Sequence, residues 1–269
     1  LSIRPGMMEG WFGNVMAGGG KDIPGAGSDM NDPRFQGAAM VGRFTKNSQI
    51  SLILNGNNTN NRGFNDVAGS MMQGMRGGGM GRGMGGWGRG NGIATSWMGG
   101  LNGTFDLFDG DMELSGNYLY NRNRRVVEEE SSRITYMEDG SQLHNFNTGS
   151  NTSASQGNRF GIRMEHNFSE STSLLFEPQF NFGQGHYTEH SEFHTDRVAD
   201  GATSHTNKGF TDNSGDNRNW SASGFLLLRQ RLGKPGRTIS ANIRYNFSNN
   251  DLDGFNQSLT YLKQQMTEE

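Results

Sequence analysis

The chain has 269 residues, a formal net charge of −3 and only 32% hydrophobic residues. No run approaches the ~18–20 apolar residues of a membrane-spanning helix, and the chain shows no charged-then-apolar segment of the cleavable kind. Its 42 glycines and few aliphatics argue against a large three-dimensional core, and the absence of cysteine excludes disulfides and thiolate metal sites. Low hydrophobicity also fits disorder. The 17 Phe, 6 Tyr and 4 Trp, however, stand at alternating positions, which marks strands.

In chain order, strands are expected near 8–18, 34–44, 49–57, 93–105, 112–122, 158–168, 173–183, 219–232 and 238–248. In the first, Trp11, Gly13, Val15 and Ala17 share a side. In the second, Phe35, Ala39 and Val41 do, and in the third Ile50, Leu52 and Leu54. The clearest signal runs from Ile93 to Tyr120. Trp97, Leu101 and Phe105 oppose Ser96, Asn102 and Thr104, then Leu114, Tyr118 and Tyr120 oppose Glu113, Ser115 and Asn117. That is period-two alternation, and Asp109-Gly110 between the two runs suits a tight hairpin turn. Such strands are longer than the globular mode of ~5–6 residues and match the ~9–11 that cross a bilayer at a tilt. Pro178 cannot donate to a ladder and is expected to mark a bulge.

The connections alternate long, short, long, short. Short ones have 4–6 residues, while 58–92, 123–157 and 184–218 have 35 each. Within 123–157, Arg133–Met137 and Gln142–Phe146 flank Glu138-Asp139-Gly140 as a small hairpin of their own. The last 21 residues are polar and show no strand pattern. Outer-membrane barrels sort their connections in this way, short periplasmic turns against long extracellular loops. Soluble sandwiches do not, and no fixed repeat indicates a β-helix. Aromatics near strand ends, such as Phe44, Phe105, Phe168, Trp220 and Phe247, fit interfacial girdles.

The expected fold is therefore all-β: an antiparallel, up-and-down transmembrane β-barrel. Residues 1–269 would form one partial barrel domain of about nine strands, the first part of a larger barrel. Nine strands alone leave two edges that a bilayer does not tolerate. Trp97, Leu101, Leu114, Tyr118, Ile162, Phe176, Phe180, Leu226, Ile243 and Tyr245 should face lipid. Ser96, Asn102, Ser115, Asn117, Arg163, Glu165, Glu177, Gln179, Arg229 and Arg244 should face the lumen, where charge stays hydrated. Phe225 and Leu227 would also face inward and need cover.

Three clusters bear on chemistry. The loop 69–92 holds Met71, Met72, Met75, Met80 and Met84 with Arg76, Arg82 and Arg89. Thioethers bind Cu(I) and Arg-Gly segments bind single-stranded nucleic acid, but glycine-rich adaptable surface is the plainer reading. His186, His190 and His194 would share a helix face, yet on a strand they spread over ~13 Å each side of the middle one, too far for one ion. Arg122, Arg124, Arg125 and Glu128, Glu129, Glu130 read as a self-compensating surface. No Ser-His-Asp set, carboxylate pair or phosphate loop has supporting context. No catalytic residue, metal site or cofactor is assigned, the chain is not expected to be an enzyme, and ligand-binding residues cannot be named.

Five stretches stand out together: Ile3-Arg4-Pro5-Gly6 with Gly10-Trp11-Phe12-Gly13-Asn14-Val15, Arg34-Phe35-Gln36-Gly37, Gln49-Ile50-Ser51 into Asn55-Gly56-Asn57-Asn58, Trp97-Met98-Gly99-Gly100-Leu101-Asn102, and Glu113-Leu114-Ser115-Gly116-Asn117-Tyr118. Through them the sequence resembles Bacteroidetes-type TonB-dependent receptors of the outer membrane. The resemblance covers most of the chain. It implies a nutrient-uptake barrel in the outer membrane of a Gram-negative bacterium, with long extracellular loops for ligand capture. The implied partners are outer-membrane lipid, an unknown extracellular ligand and, through parts not covered here, the TonB energy-coupling complex; nucleic acid is not among them. Such receptors have about 22 strands and a plugged lumen, whereas nine strands and no plug or TonB-contact segment are visible here. The alternative is a non-transporting structural or adhesive barrel.

Overall fold

The computed structural model describes residues 9–21, 33–59, 92–233 and 236–262. They form one nine-stranded antiparallel sheet in which every strand pairs with its sequence neighbours, in the order β1 to β9. The strands are β1 (Gly10–Lys21), β2 (Pro33–Phe44), β3 (Ser48–Asn57), β4 (Ile93–Leu107), β5 (Met112–Tyr136), β6 (Gln142–Ser169), β7 (Thr172–Ala199), β8 (Ala202–Arg231) and β9 (Thr238–Leu262). The fold is all-β and up-and-down. The Met-rich loop lies outside the described residues except for Gly92.

The expected strands are all present, but five are far longer. β5 to β9 have 25, 28, 28, 30 and 25 residues. The stretch 123–157 is not a loop. β5 continues to Tyr136 and β6 begins at Gln142, so the small hairpin around Asp139 is the tip of that long pair rather than a separate element. The stretch 184–218 is likewise β7 and β8 running on to a tight turn at Asp200-Gly201. Both turn residues have positive φ, 51° and 77°, the signature of the two-residue turn that Asp-Gly favours. The polar tail also corrects: β9 pairs with β8 as far as Leu262. At ~3.3 Å per residue these strands reach roughly 80–100 Å.

The register settles the faces. Leu52 lies opposite Leu101, Leu101 opposite Tyr118, and Tyr118 opposite Phe160. Phe160 then lies opposite Phe180, Phe176 opposite Leu226, and Leu226 opposite Ile243. All ten residues expected to face lipid share that face, and all ten expected in the lumen share the other, because directly paired residues point the same way. On β3 the sides differ sharply: Ser51 and Ile53 are 1% and 4% exposed, Leu52 and Leu54 42% and 48%. The polar face is therefore the concave one.

Pro178 is buried but marks no bulge. The β6–β7 register is the same on both sides of it, from Gly161 opposite Gln179 to Met164 opposite Phe176; only the ladder lapses between. The irregularities fall at Asn167/Ser169 and Thr195/Asp196 instead. Proline's missing N–H leaves one gap in the ladder without requiring an extra residue.

The convex face of β5 to β9 carries an apolar band nine residues tall: 112–120, 160–168, 174–182, 220–228 and 239–247. Its members alternate, with glycine, proline, alanine and His166 among them, and none is Asp, Glu, Lys or Arg. Above the band the row Arg122, Gln156, Gln184, Arg218, Asp251 crosses all five strands in register. Nine residues span about 26–30 Å along a strand, and a tilt of ~35–45° brings that near the ~25 Å apolar belt of outer-membrane barrels.

Candidate functional site

The concave face encloses a cavity of about 1140 Å³. Its wall alternates inward from β3 to β9, with Ser51, Asn102, Ser115, Asn117, Arg159, Arg163, Glu177, Gln179 and Arg244 around it. Arg163 on β6 is its centre. Nη1 donates to Glu113 Oε1 at 3.0 Å, Nη2 to Glu165 Oε2 at 2.6 Å and Nε to Glu177 Oε1 at 2.9 Å. One guanidinium thus joins three strands and balances one of three negative charges. Asp106, Glu113 and Glu165 sit side by side in register, an arrangement that like-charge repulsion opposes and that the Arg163 fork relieves.

Arg159 donates to the Gln179 amide oxygen once that amide is turned to face it. Arg244 lies 5.2 Å over the Phe225 ring, which is how one of the two inward apolar exceptions finds cover on the sheet itself. Asn102 Nδ2 and Asn117 Oδ1, on directly opposed residues, are enclosed with no partner among the described residues. The cavity therefore offers amides, guanidinium groups and carboxylates on a fixed frame. That inventory recognises polar solutes by hydrogen bonds. Towards β2 the same face turns apolar: Ile53, Met98 and Leu119 are buried together with Met40 against them.

The histidines lie elsewhere. His186, His190 and His194 are on the convex side of β7, above the apolar band, and each goes its own way. His186 Nδ1 meets Asp216 at 2.9 Å, and His190 meets Asp212 at 2.5 Å and Glu192 at 3.3 Å. His194 stacks on Phe146 with centroids 4.7 Å apart. Among the described residues no group of three or more such side chains is arranged to hold a metal ion. The Asp212 and Glu192 hydrogen bonds raise the His190 pKa above its ordinary value. On β5, Arg122, Arg124, Glu128 and Glu130 share the convex face, and Arg125 and Glu129 lie on the other.

Sequence reading missed the Arg163 fork as a unit. Arg163, Glu165 and Glu177 are expected in the lumen and Glu113 on the polar side of its strand, but Glu113 lies 50 positions from Arg163. The only signal was their common inward parity.

No known family matches the chain, and no curated protein does. Solved outer-membrane proteins are similar in part. The ferric-catecholate import receptor Fiu of E. coli K12, in an open form, matches 98% of the chain at 11% identity and TM-score 0.33. The copper transporter OprC matches 93% at 8% and TM-score 0.25, and the monoaromatic hydrocarbon channel CymD 93% at 6% and TM-score 0.20. The chain spans 49% of Fiu, 44% of OprC and 86% of CymD.

Proposed function

We propose that this chain forms part of the wall of an outer-membrane transport barrel. The observation that carries the reading is the nine-residue apolar band on the convex face. Above it one polar row crosses five strands in register, and a charged concave face backs it. A soluble sheet with that pattern would put its apolar side against a second layer, and no such layer exists among the described residues. Within this reading the concave cavity lines the pore, and the polar extensions of β5 to β9 stand above the membrane, where ligand is first met. The residues Trp97 to Asn102 and Glu113 to Tyr118, which resemble Bacteroidetes-type TonB-dependent receptors, make energy-coupled nutrient uptake the finer form of the proposal. No catalytic role is part of it.

The reading also sets a requirement. β1 and β9 are the sheet's edges, and unpaired backbone in hydrocarbon costs several kcal/mol per group. Eight antiparallel steps separate the two strands, so they run in the same direction. Joined directly they would make a parallel seam. An odd number of further strands makes both seams antiparallel, the arrangement of bacterial outer-membrane barrels.

The test is deletion followed by growth on single nutrients, together with fractionation of the envelope. The expected result is outer-membrane location and loss of growth on one nutrient at low concentration. Normal uptake of every nutrient, with loss of surface attachment instead, favours the adhesive alternative, for which the long polar ribbons would be the contact surface. A soluble location refutes both.

A further inference from the structure

Resting on the membrane reading, we infer that Arg122 and Arg124 form a binding site for the phosphate of an outer-leaflet glycolipid. Both lie on the convex face of β5, two residues apart, and both are exposed. Neither has a hydrogen bond or ion pair among the described residues. Arg122 stands at the first row above the apolar band, directly opposite Trp97, which is 51% exposed. Tryptophan with its ring towards lipid marks the depth of the headgroup layer. Two unpaired guanidinium groups at that depth, on the end of the sheet that carries the long extensions, meet the outer leaflet.

The chemistry selects the ligand. Guanidinium binds phosphate through paired N–H donors and is costly to leave without an anion where water is scarce. Sideways from Arg122 the row continues as Gln156 and Gln184, amides that donate to and accept from sugar hydroxyls. Upwards from Arg124 the neighbouring strand turns Thr152 outward, with Val126 opposite it. A phosphate between the arginines would thus have sugar rings over amides and hydroxyls, and acyl chains over Tyr120 and the band below. A simple phospholipid uses the arginines but leaves the amide row unused; free phosphate uses neither row nor band.

Arg218 supplies an internal control. It occupies the same row on β8, but Asp251 lies directly opposite and Asp216 is two residues away on the same face. Its field is already answered by two carboxylates, so it should not hold an anion.

The experiment is to extract the full chain from its native outer membrane in mild detergent and measure retained lipid by native mass spectrometry. The wild type should keep phosphorylated glycolipid in preference to phosphatidylglycerol, and inorganic phosphate should displace it only weakly. R122Q/R124Q should retain about tenfold less, the loss of roughly 1.4 kcal/mol, while R218Q retains as much as wild type. Equal retention by R122Q/R124Q and wild type overturns the proposal. So does equal retention of the glycolipid after its phosphates are removed, or an equal loss in R218Q. Preference for phosphatidylglycerol overturns the choice of glycolipid. Absence of the protein from the outer-membrane fraction defeats the membrane reading and this site together; presence there with unchanged retention defeats this site alone.

Discussion

Arg163 donates from Nε to Glu177 at 2.9 Å across β6 and β7 at the place where the backbone ladder between those strands lapses beside Pro178. The side chains bridge what the proline leaves open, and the same guanidinium ties in Glu113 and Glu165.

Removing that guanidinium should therefore cost more than removing any one of its partners. Arg163→Gln strands three carboxylates on one wall, and a loss of about 1–3 kcal/mol is expected, below the range for fully buried pairs because these groups are partly hydrated. Glu165→Gln also relieves repulsion with Glu113 and should stay within about 1 kcal/mol. Urea unfolding from lipid vesicles measures both. An equal loss for the two variants would show that Arg163 is not the hub.

The faces can be probed on one strand. Leu226→Arg puts a charge into the middle of the apolar band and should cost ~2–4 kcal/mol, whereas Ser223→Arg points into the cavity and should cost less than about 1 kcal/mol. Assembly yield in the outer membrane and urea midpoints provide the comparison. Similar penalties would mean that the two faces meet the same solvent.

The β7–β8 ribbon above the band should respond to pH through His190. Its pKa is raised first by the Asp212 hydrogen bond and then by Glu192. A raised folded-state value means the stabilisation is complete below the unfolded value of ~6.5 and is lost as pH rises through the folded value. Amide exchange in β7 around residue 190, after correction for intrinsic base catalysis, should thus quicken on going from mildly acidic to alkaline pH. His190→Ala should abolish the change; an unchanged profile in that variant would assign the effect elsewhere.

Asp139 should behave in the opposite sense at the β5–β6 tip. Ser141 donates to its carboxylate from Oγ at 2.6 Å and from the backbone N–H at 2.9 Å, and Arg197 reaches it from β7. The Ser141 hydrogen bonds, with Arg197 after them, hold its pKa below the ordinary carboxylate value. That contribution is present above the unfolded value of ~3.9 and is lost as pH falls through the folded one. Asp139→Asn should speed protease cleavage at 137–141 several-fold at neutral pH and leave it unaltered in strong acid. Cleavage as slow as wild type at neutral pH would remove Asp139 from the lock.

How far the sequence reaches can be seen by comparing Leu101 with Val126. Leu101 belongs to a strand with one apolar and one polar side, and period two is enough to place it on the apolar face because a one-residue slip would put Asn102 there instead. That constraint, repeated over nine segments, determined the strand count, the faces and the inward position of Arg163, Glu177 and Arg244. Val126 sits beside Val127 and before three glutamates, in a stretch with no sidedness at all. Beyond the apolar band neither face of a strand is kept apolar, so the continuation of β5 to β9 left no alternation to read. Only cross-strand pairing decided it, although Asp200-Gly201 carried a local turn signal. The tertiary structure alone also decided which distant residues share a site. The Arg163 fork depends on registers across β5, β6 and β7, and Ile53, Met98 and Leu119 are buried on the polar side because the sheet curves inward there. Curvature and register are properties of neighbouring strands together, and no single strand encodes them.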